Sequence, residues 1–219
     1  MYACGSAPVN PCRAQPTVCI FKGMGLKFDP SRLDRLNDPS RTRFMDIGLV
    51  WEGFAVERPH CVVDLGAGTG FFAVRFAPFM APGGRIHACD SSQFMVDWMK
   101  ANLTPPQLES VLPTLVGESA IDLPDKSVDL LYMINVHHEL EDPGRTLREA
   151  RRLLRPKAPV AIIDWKKEET VFEGESHGPP LARRVEPAEI RRSLDAGGLT
   201  DIRELDSLPL NSFIVARKR

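Results

Sequence analysis

No apolar run in this 219-residue chain approaches the roughly 18 residues that a membrane-crossing helix needs. The first 20 residues are interrupted by Pro8, Pro11 and Pro16, so no continuous apolar core of a secretory leader is read there. An excess of charge is missing too: 28 Lys and Arg stand against 29 Asp and Glu, a formal net charge of −1. Such a chain has no global field to draw in nucleic acid or anionic lipid. Cysteine is scarce and odd in number, at five, which without a leader argues against a disulfide framework. These absences lead us to expect a cytoplasmic protein that has no membrane or nucleic-acid partner.

Cys4, Cys12 and Cys19 follow a C-x7-C-x6-C spacing, which fits no common zinc pattern. Cys61 and Cys89 fall in or beside expected strands and read as buried thiols. No metal site is expected. A soft element such as arsenic held by Cys4, Cys12 and Cys19 is a minor reading, set against a plain tail.

What the chain does contain is an ordinary globular composition, 43% hydrophobic and 26% charged, at a length that suits one α/β domain. Residues 1–23 lack periodicity and are expected to be a poorly ordered tail. A single domain is expected over residues 24–219. Within it, residues 24–58 form a helical cap with one or two helices, cued by Asp29-Pro30, Asp38-Pro39 and the spacing of Phe44, Ile47, Gly48 and Trp51.

From residue 60 the pattern alternates. Strands are expected at Cys61–Leu65, Arg85–Cys89, Val111–Val116, Val128–Val136 and Pro159–Trp165. Helices are expected at Phe71–Met80, Gln93–Leu103 (capped by Ser91 or Ser92), Asp142–Leu154 and Pro187–Ala196, the last stopped by Gly197-Gly198. Ile202–Leu208 and Ser212–Ala216 read as two consecutive strands. Alternation implies parallel pairing with right-handed crossovers, and the final pair implies a hairpin. The expected fold is α/β and Rossmann-like: a seven-stranded, mostly parallel sheet with an antiparallel last strand and helices on both faces. Ligands bind such sheets at the carboxyl ends of the strands.

The first strand runs into Asp64-Leu65-Gly66-Ala67-Gly68-Thr69-Gly70. Glycines let backbone turn tightly and approach a ligand closely, and the helix that follows favours an anionic group. The order is G-x-G-x-G, with Phe71 where a dinucleotide fingerprint has its third glycine. No Gly-Lys-Ser/Thr follows, which excludes a P-loop. Asp90 closes the second strand, 24 residues after Gly66, where a carboxylate can accept both hydroxyls of a ribose.

Four segments together carry a family likeness: Val62 to Gly70, His87 to Met95, Asp122-Leu123-Pro124-Asp125-Lys126-Ser127-Val128-Asp129, and Leu153-Leu154-Arg155-Pro156-Lys157. As a set they resemble the class I S-adenosylmethionine (SAM)-dependent methyltransferases, in particular their small-molecule branch. Lys157 stands where that family usually has glycine. The resemblance implies SAM as cofactor. Asp64, Gly66, Ala67, Gly68 and Gly70 would face its methionine part, and Asp90 with Ser91 its ribose. Glu118 and Ser119 would read the adenine, with Met95 either flanking it or simply filling the core. Asn135 would lie beneath the transferred methyl, or only cap its strand.

Methyl transfer from a sulfonium needs alignment and exclusion of water more than it needs a base. Candidate bases are His137 and His138, just after the fourth strand. Asp164 and Trp165 end the fifth strand and are candidates for holding a cationic acceptor. Residues 166–186 form a polar loop of lid length. The expected function is methylation of a small-molecule acceptor. The alternatives are a nicotinamide-dependent oxidoreductase on a similar sheet and a non-catalytic SAM-binding protein. The segment Asn135-Val136-His137-His138 lacks the Asn-Pro-Pro-aromatic motif of base amino-methylation.

Overall fold

The computed structural model describes residues 33–117 and 120–219. The expected tail, Cys4, Cys12 and Cys19, the pair Asp29-Pro30, and the adenine-reading candidates Glu118 and Ser119 lie outside the described residues.

The domain is built on strands β1 (Cys61–Leu65), β2 (Arg85–Asp90), β3 (Val111–Leu115), β4 (Leu130–Ile134) and β5 (Pro159–Trp165), all mutually parallel. Two more, β8 (Thr200–Leu205) and β9 (Asn211–Arg217), complete a seven-stranded sheet in the order β3-β2-β1-β4-β5-β9-β8. Strand β9 is antiparallel to both neighbours. The last strand thus inserts beside β5, and the strand before it becomes the edge. Burial explains the choice: every residue of β9 from Asn211 to Ala216 is buried, whereas β8 alternates toward solvent. The more apolar strand takes the inner place.

Short apolar runs become the central strands because helices cover both faces. Helices α3 (Ile47–Phe54), α4 (Phe71–Phe76) and α5 (Gln93–Asn102) cover one face, packing Phe54, Phe76 and Met99 against Val62, Tyr132 and Ile163. Helices α7 (Pro143–Leu153) and α8 (Pro187–Ala196) cover the other, with Leu147, Leu153, Ile190 and Leu194 against Val63, Leu131 and Ile162. Removing a ring such as Phe54, which is fully buried, costs about 3–5 kcal/mol by the usual core-truncation scale. Among the described residues, no helix is long and apolar enough to cross a membrane.

Several boundaries differ from the sequence reading for identifiable reasons. Strand β4 is shorter than Val128–Val136: Asp129 turns its carboxylate to the amides of His60 and Cys61, and Asn135 adopts φ 61°, which ends the extended run. The helix expected at Phe71–Met80 ends at Phe76 and tightens into a 3-10 turn over Ala77–Phe79, where Pro78 has no amide to donate. Helix α6 (Pro105–Ser110) was not read from the sequence, although Thr104 and Gln107 form a capping box that brackets two prolines. Ser92, not Ser91, caps α5 by accepting from the Met95 amide at 3.4 Å. Among the described residues of the cap, three short helices stand where one or two were expected: α1 (Leu33–Asn37), α2 (Arg41–Phe44) and α3. The break falls at Met45 because Asp46 starts α3 by accepting from the Leu49 amide at 2.9 Å.

Residues 166–186 are not a plain loop. Strands β6 (Val171–Phe172) and β7 (Glu175–Ser176) form a small antiparallel hairpin. Its turn places Glu173 at φ 54° and Gly174 at φ 83°, the left-handed pair that a two-residue hairpin turn requires. A 3-10 turn follows over Leu181–Arg183.

Candidate functional site

The strand order reverses between β1 and β4, and the ends of β1, β2, β4 and β5 converge on the loop after β1. That loop is Gly66 to Gly70. The amides of Gly66 and Ala67 both donate to the Cys89 carbonyl, at 2.8 and 2.9 Å, which pins the loop to the end of β2. Gly66 and Gly68 adopt φ 78° and 57°. A Cβ at Gly66 would lie 2.4 Å from a methyl of Val136, so this glycine makes room for the segment after β4. Gly68 is different. Its nearest neighbour is Leu36 Cδ1 of α1, at 3.5 Å from the Cβ position, so the cap rests on the loop here.

Asp90 is aimed by backbone. Its Oδ2 accepts from the Gly68 amide and its Oδ1 from the Ser92 amide, each at 2.8 Å. Burial pushes its carboxyl up from the ordinary carboxylate range, and the amides of Ser92, Gly68 and Ser91 pull it back in part. Each oxygen keeps a second lone pair, so the carboxylate remains able to accept two hydroxyls.

Asp64 faces the α3/α4 side and is buried. Burial raises its pKa to about 8, with Asp90 adding to the rise while Tyr132 and Arg41 oppose it. The Tyr132 hydroxyl, one strand over, lies close enough to Asp64 to act on it but forms no hydrogen bond of ordinary geometry. Thr69 Oγ1 is likewise buried without a hydrogen-bond partner. Beside this pair lies Arg41 of α2. Its guanidinium sits over the rings of Phe71 and Phe72, at 4.8 and 4.6 Å from their centroids.

Asn135 is placed at the mouth by its left-handed backbone, and its Oδ1 accepts from Asn211 Nδ2 at 2.9 Å. Asn211 is 1% exposed and its own Oδ1 has no partner. Met95 is buried at the start of α5, and Phe71 is buried in the core.

The two histidines separate. His137 turns toward the α7/α8 face, where Nε2 lies 2.7 Å from Ser193 Oγ. Burial lowers its pKa. This candidate base therefore packs beside α8, on the face away from Asp64. His138 pairs with Asp164, Nδ1 to Oδ1 at 2.7 Å, and its amide donates to Asp164 Oδ2 at 2.9 Å. Burial works against protonation of His138, but the hydrogen bond and charge of Asp164 outweigh it and hold the pKa above the ordinary histidine value. Asp164 also accepts from the Trp165 amide at 2.8 Å and is 1% exposed. In this structure the candidate for a cationic acceptor is thus an enclosed carboxylate whose oxygens are engaged by His138 and two backbone amides. It ties the turn after β4 to the end of β5.

Trp165 is part of a cover. Phe44 of α2 packs against Trp165, Phe172 and His177, with ring centroids at 6.0, 5.7 and 5.1 Å. Arg43 forms an ion pair with Glu173 in the hairpin turn. A Cβ at Gly178 would fall 2.8 Å from Trp165 and the Arg184 guanidinium lies 6.0 Å from its ring centroid, so the loop packs on Trp165. Arg184 holds the loop in shape. It donates to the carbonyls of Lys166, Glu168, His177 and Pro179, and to Thr170 Oγ1, at 2.7–3.0 Å.

The sequence reading missed Arg41, Tyr132, Asn211 and Arg184. Position on β4 opposite Asp64 was the one available signal, for Tyr132. The others come from segments distant in sequence and carry no motif.

The comparisons with known proteins agree with this geometry. A family profile described as a methyltransferase domain matches residues 63–162. The crystal structure of a SAM-dependent methyltransferase from Aquifex aeolicus is 31% identical, with a TM-score of 0.80 over 88% of this chain and 100% of that one. YcgJ of Bacillus subtilis, described as an uncharacterized methyltransferase, is 25% identical over 68% of this chain and 57% of its own. The ubiquinone/menaquinone biosynthesis C-methyltransferase UbiE of Bordetella avium is 27% identical over 63% of this chain and 54% of its own. The chain thus spans little more than half the length of these two relatives. It belongs to the class I SAM-dependent methyltransferase family.

Proposed function

We propose that this protein transfers a methyl group from SAM to a small-molecule acceptor. The observation that carries the reading is Asp90, a carboxylate held by the Gly68 and Ser92 amides at the tip of the strand beside the glycine loop. The residues present fit the cofactor. Asp90 keeps free lone pairs for a ribose. The loop at Gly68 has no Cβ, and Thr69 Oγ1 and Asn211 Oδ1 lie buried without partners nearby.

Bound SAM supplies a methyl on a positive sulfur that is already a good leaving group. The chain's own part is then to bind, align and dry the site. Asp90 and Ser91 hold the ribose end, Asp64 and Gly66 to Gly70 the methionine end, and Asn135 the region between. The joined cover of α2 and the β6–β7 hairpin excludes water. Its rings (Phe44, Trp165, Phe172 and His177) favour an acceptor with a flat apolar part. His138 acts by positioning: it fixes the Asp164 turn, and its side chain is 5% exposed, too enclosed to reach an acceptor.

Calorimetric titration with S-adenosylhomocysteine tests the reading, with NADH as control ligand and Asp90→Ala as control protein. Micromolar binding of the first ligand alone, lost in the variant, supports it and opens a screen of acceptors. Binding of NADH instead would overturn it.

A further inference from the structure

Arg41 is a largely buried cation on the methionine side of the glycine loop. Among the described residues, no carboxylate lies within ion-pair distance of it. Its hydrogen bond goes to a neutral group, the Leu36 carbonyl, from Nη1 at 2.6 Å. Its flat face rests on Phe71 and Phe72. A second guanidinium, Arg75, lies over the Phe71 ring at 3.5 Å and repels it. Burial and Arg75 lower the Arg41 pKa only to about 10, so the group remains charged at neutral pH. The nearest acid across the loop, Asp64, is held largely protonated at that pH. A cation so desolvated is costly unless an anion meets it, and none among the described residues lies within ion-pair distance. Guanidinium matches a carboxylate in two parallel hydrogen bonds.

We propose that Arg41 is the receptor for the α-carboxylate of the cofactor's methionine end. This rests on the SAM reading above. It also gives the cap a reason to close. The same guanidinium binds the carbonyl of Leu36, whose side chain rests 3.5 Å from the Cβ position of Gly68. A carboxylate drawn to Arg41 therefore draws α1 and α2 onto the loop.

The test compares SAM with decarboxylated SAM, which differs only in lacking that carboxylate, by calorimetric binding to the full chain. The wild-type protein is expected to prefer SAM by about 10- to 100-fold, the range of a charged hydrogen bond. In Arg41→Met the preference is expected to fall to less than about 3-fold through loss of SAM affinity, with decarboxylated SAM binding as before. Arg75→Met, the neighbouring cation, keeps the preference. Because the readout is a ratio, a partly unfolded variant does not imitate the result. A preference retained in Arg41→Met, or absent from the wild type, overturns the role of Arg41 and leaves the cofactor reading standing. Failure of the wild type to bind either ligand overturns both.

Discussion

A methyl group added at position 66 would press on Val136 at 2.4 Å, on a backbone already at φ 78°. Gly66→Ala is therefore expected to destabilise the fold by about 1–3 kcal/mol and to weaken S-adenosylhomocysteine binding at least about tenfold. Urea titration and calorimetry measure the two effects separately. The reverse case lies at the other end of the sheet. Lys157 holds φ 67° in the turn where the family usually has glycine, a conformation costly for any residue with a Cβ. Lys157→Gly relieves that strain and gives back part of it to the unfolded chain. The expected net is a gain of about 0.5–1 kcal/mol, seen as a Tm rise of about 1–4 °C, with ligand affinity unchanged. A fall in Tm would show that the lysine side chain stabilises the turn. His138 illustrates a buried pair: its removal leaves Asp164, 1% exposed, with two backbone amides but without its imidazole partner. His138→Ala is expected to cost about 1–3 kcal/mol, the scale of one buried charged hydrogen bond, measured by denaturant unfolding.

The cover is assembled from two elements that the sequence separates by more than a hundred residues. Phe44 meets Phe172 and His177, and Arg43 meets Glu173. Neither half has a core of its own, so each depends on the other and on Trp165. Arg184 organises the hairpin half entirely through neutral oxygens. Arg184→Met takes that donor from the carbonyls of Lys166, Glu168 and Pro179, and leaves His177 with the Thr170 hydroxyl alone. We expect hydrogen-exchange protection of residues 166–180 to collapse while β1 and β5 keep theirs. Loss of protection across the whole sheet would show instead that the loop supports the core. The sequence reading treated residues 166–186 as one open loop because two-residue strands carry no periodicity. The Glu173-Gly174 turn was the one local cue, and Arg184 is recognisable as a hub only when the chain has closed around it.

For the whole molecule, Asp64 ties stability to pH. Its carboxyl sits at about 8 in the fold against a reference of 3.8, so the folded state holds a proton that the unfolded chain has released. Stability from this group is complete below pH about 4 and is lost as pH rises through about 8. The wild-type Tm should accordingly decline between pH 5 and 8 (roughly the window between those two values) more steeply than that of Asp64→Asn, which carries no proton to lose. Equal slopes would place the titrating group elsewhere.

The sheet was legible in the sequence because five short apolar runs alternate with amphipathic segments, and burial on both faces imposes that pattern. The glycine loop and Asp90 were legible because backbone that must turn at positive φ and a carboxylate at the neighbouring strand tip leave type and spacing behind in the chain. Other features were set by packing. The order of β8 and β9 followed from which of two plausible strands could be buried deeper. The two histidines diverged because the chain tightens into a 3-10 turn over His137–Glu139, sending one ring to Ser193 and the other to Asp164. Arg41 gained its meaning from a fold that removes most of its water and brings it toward Asp64 with no ion pair among the described residues. Sequence spacing determines which residues share a strand or a turn, but desolvation and charge pairing between distant segments exist only once the chain is folded.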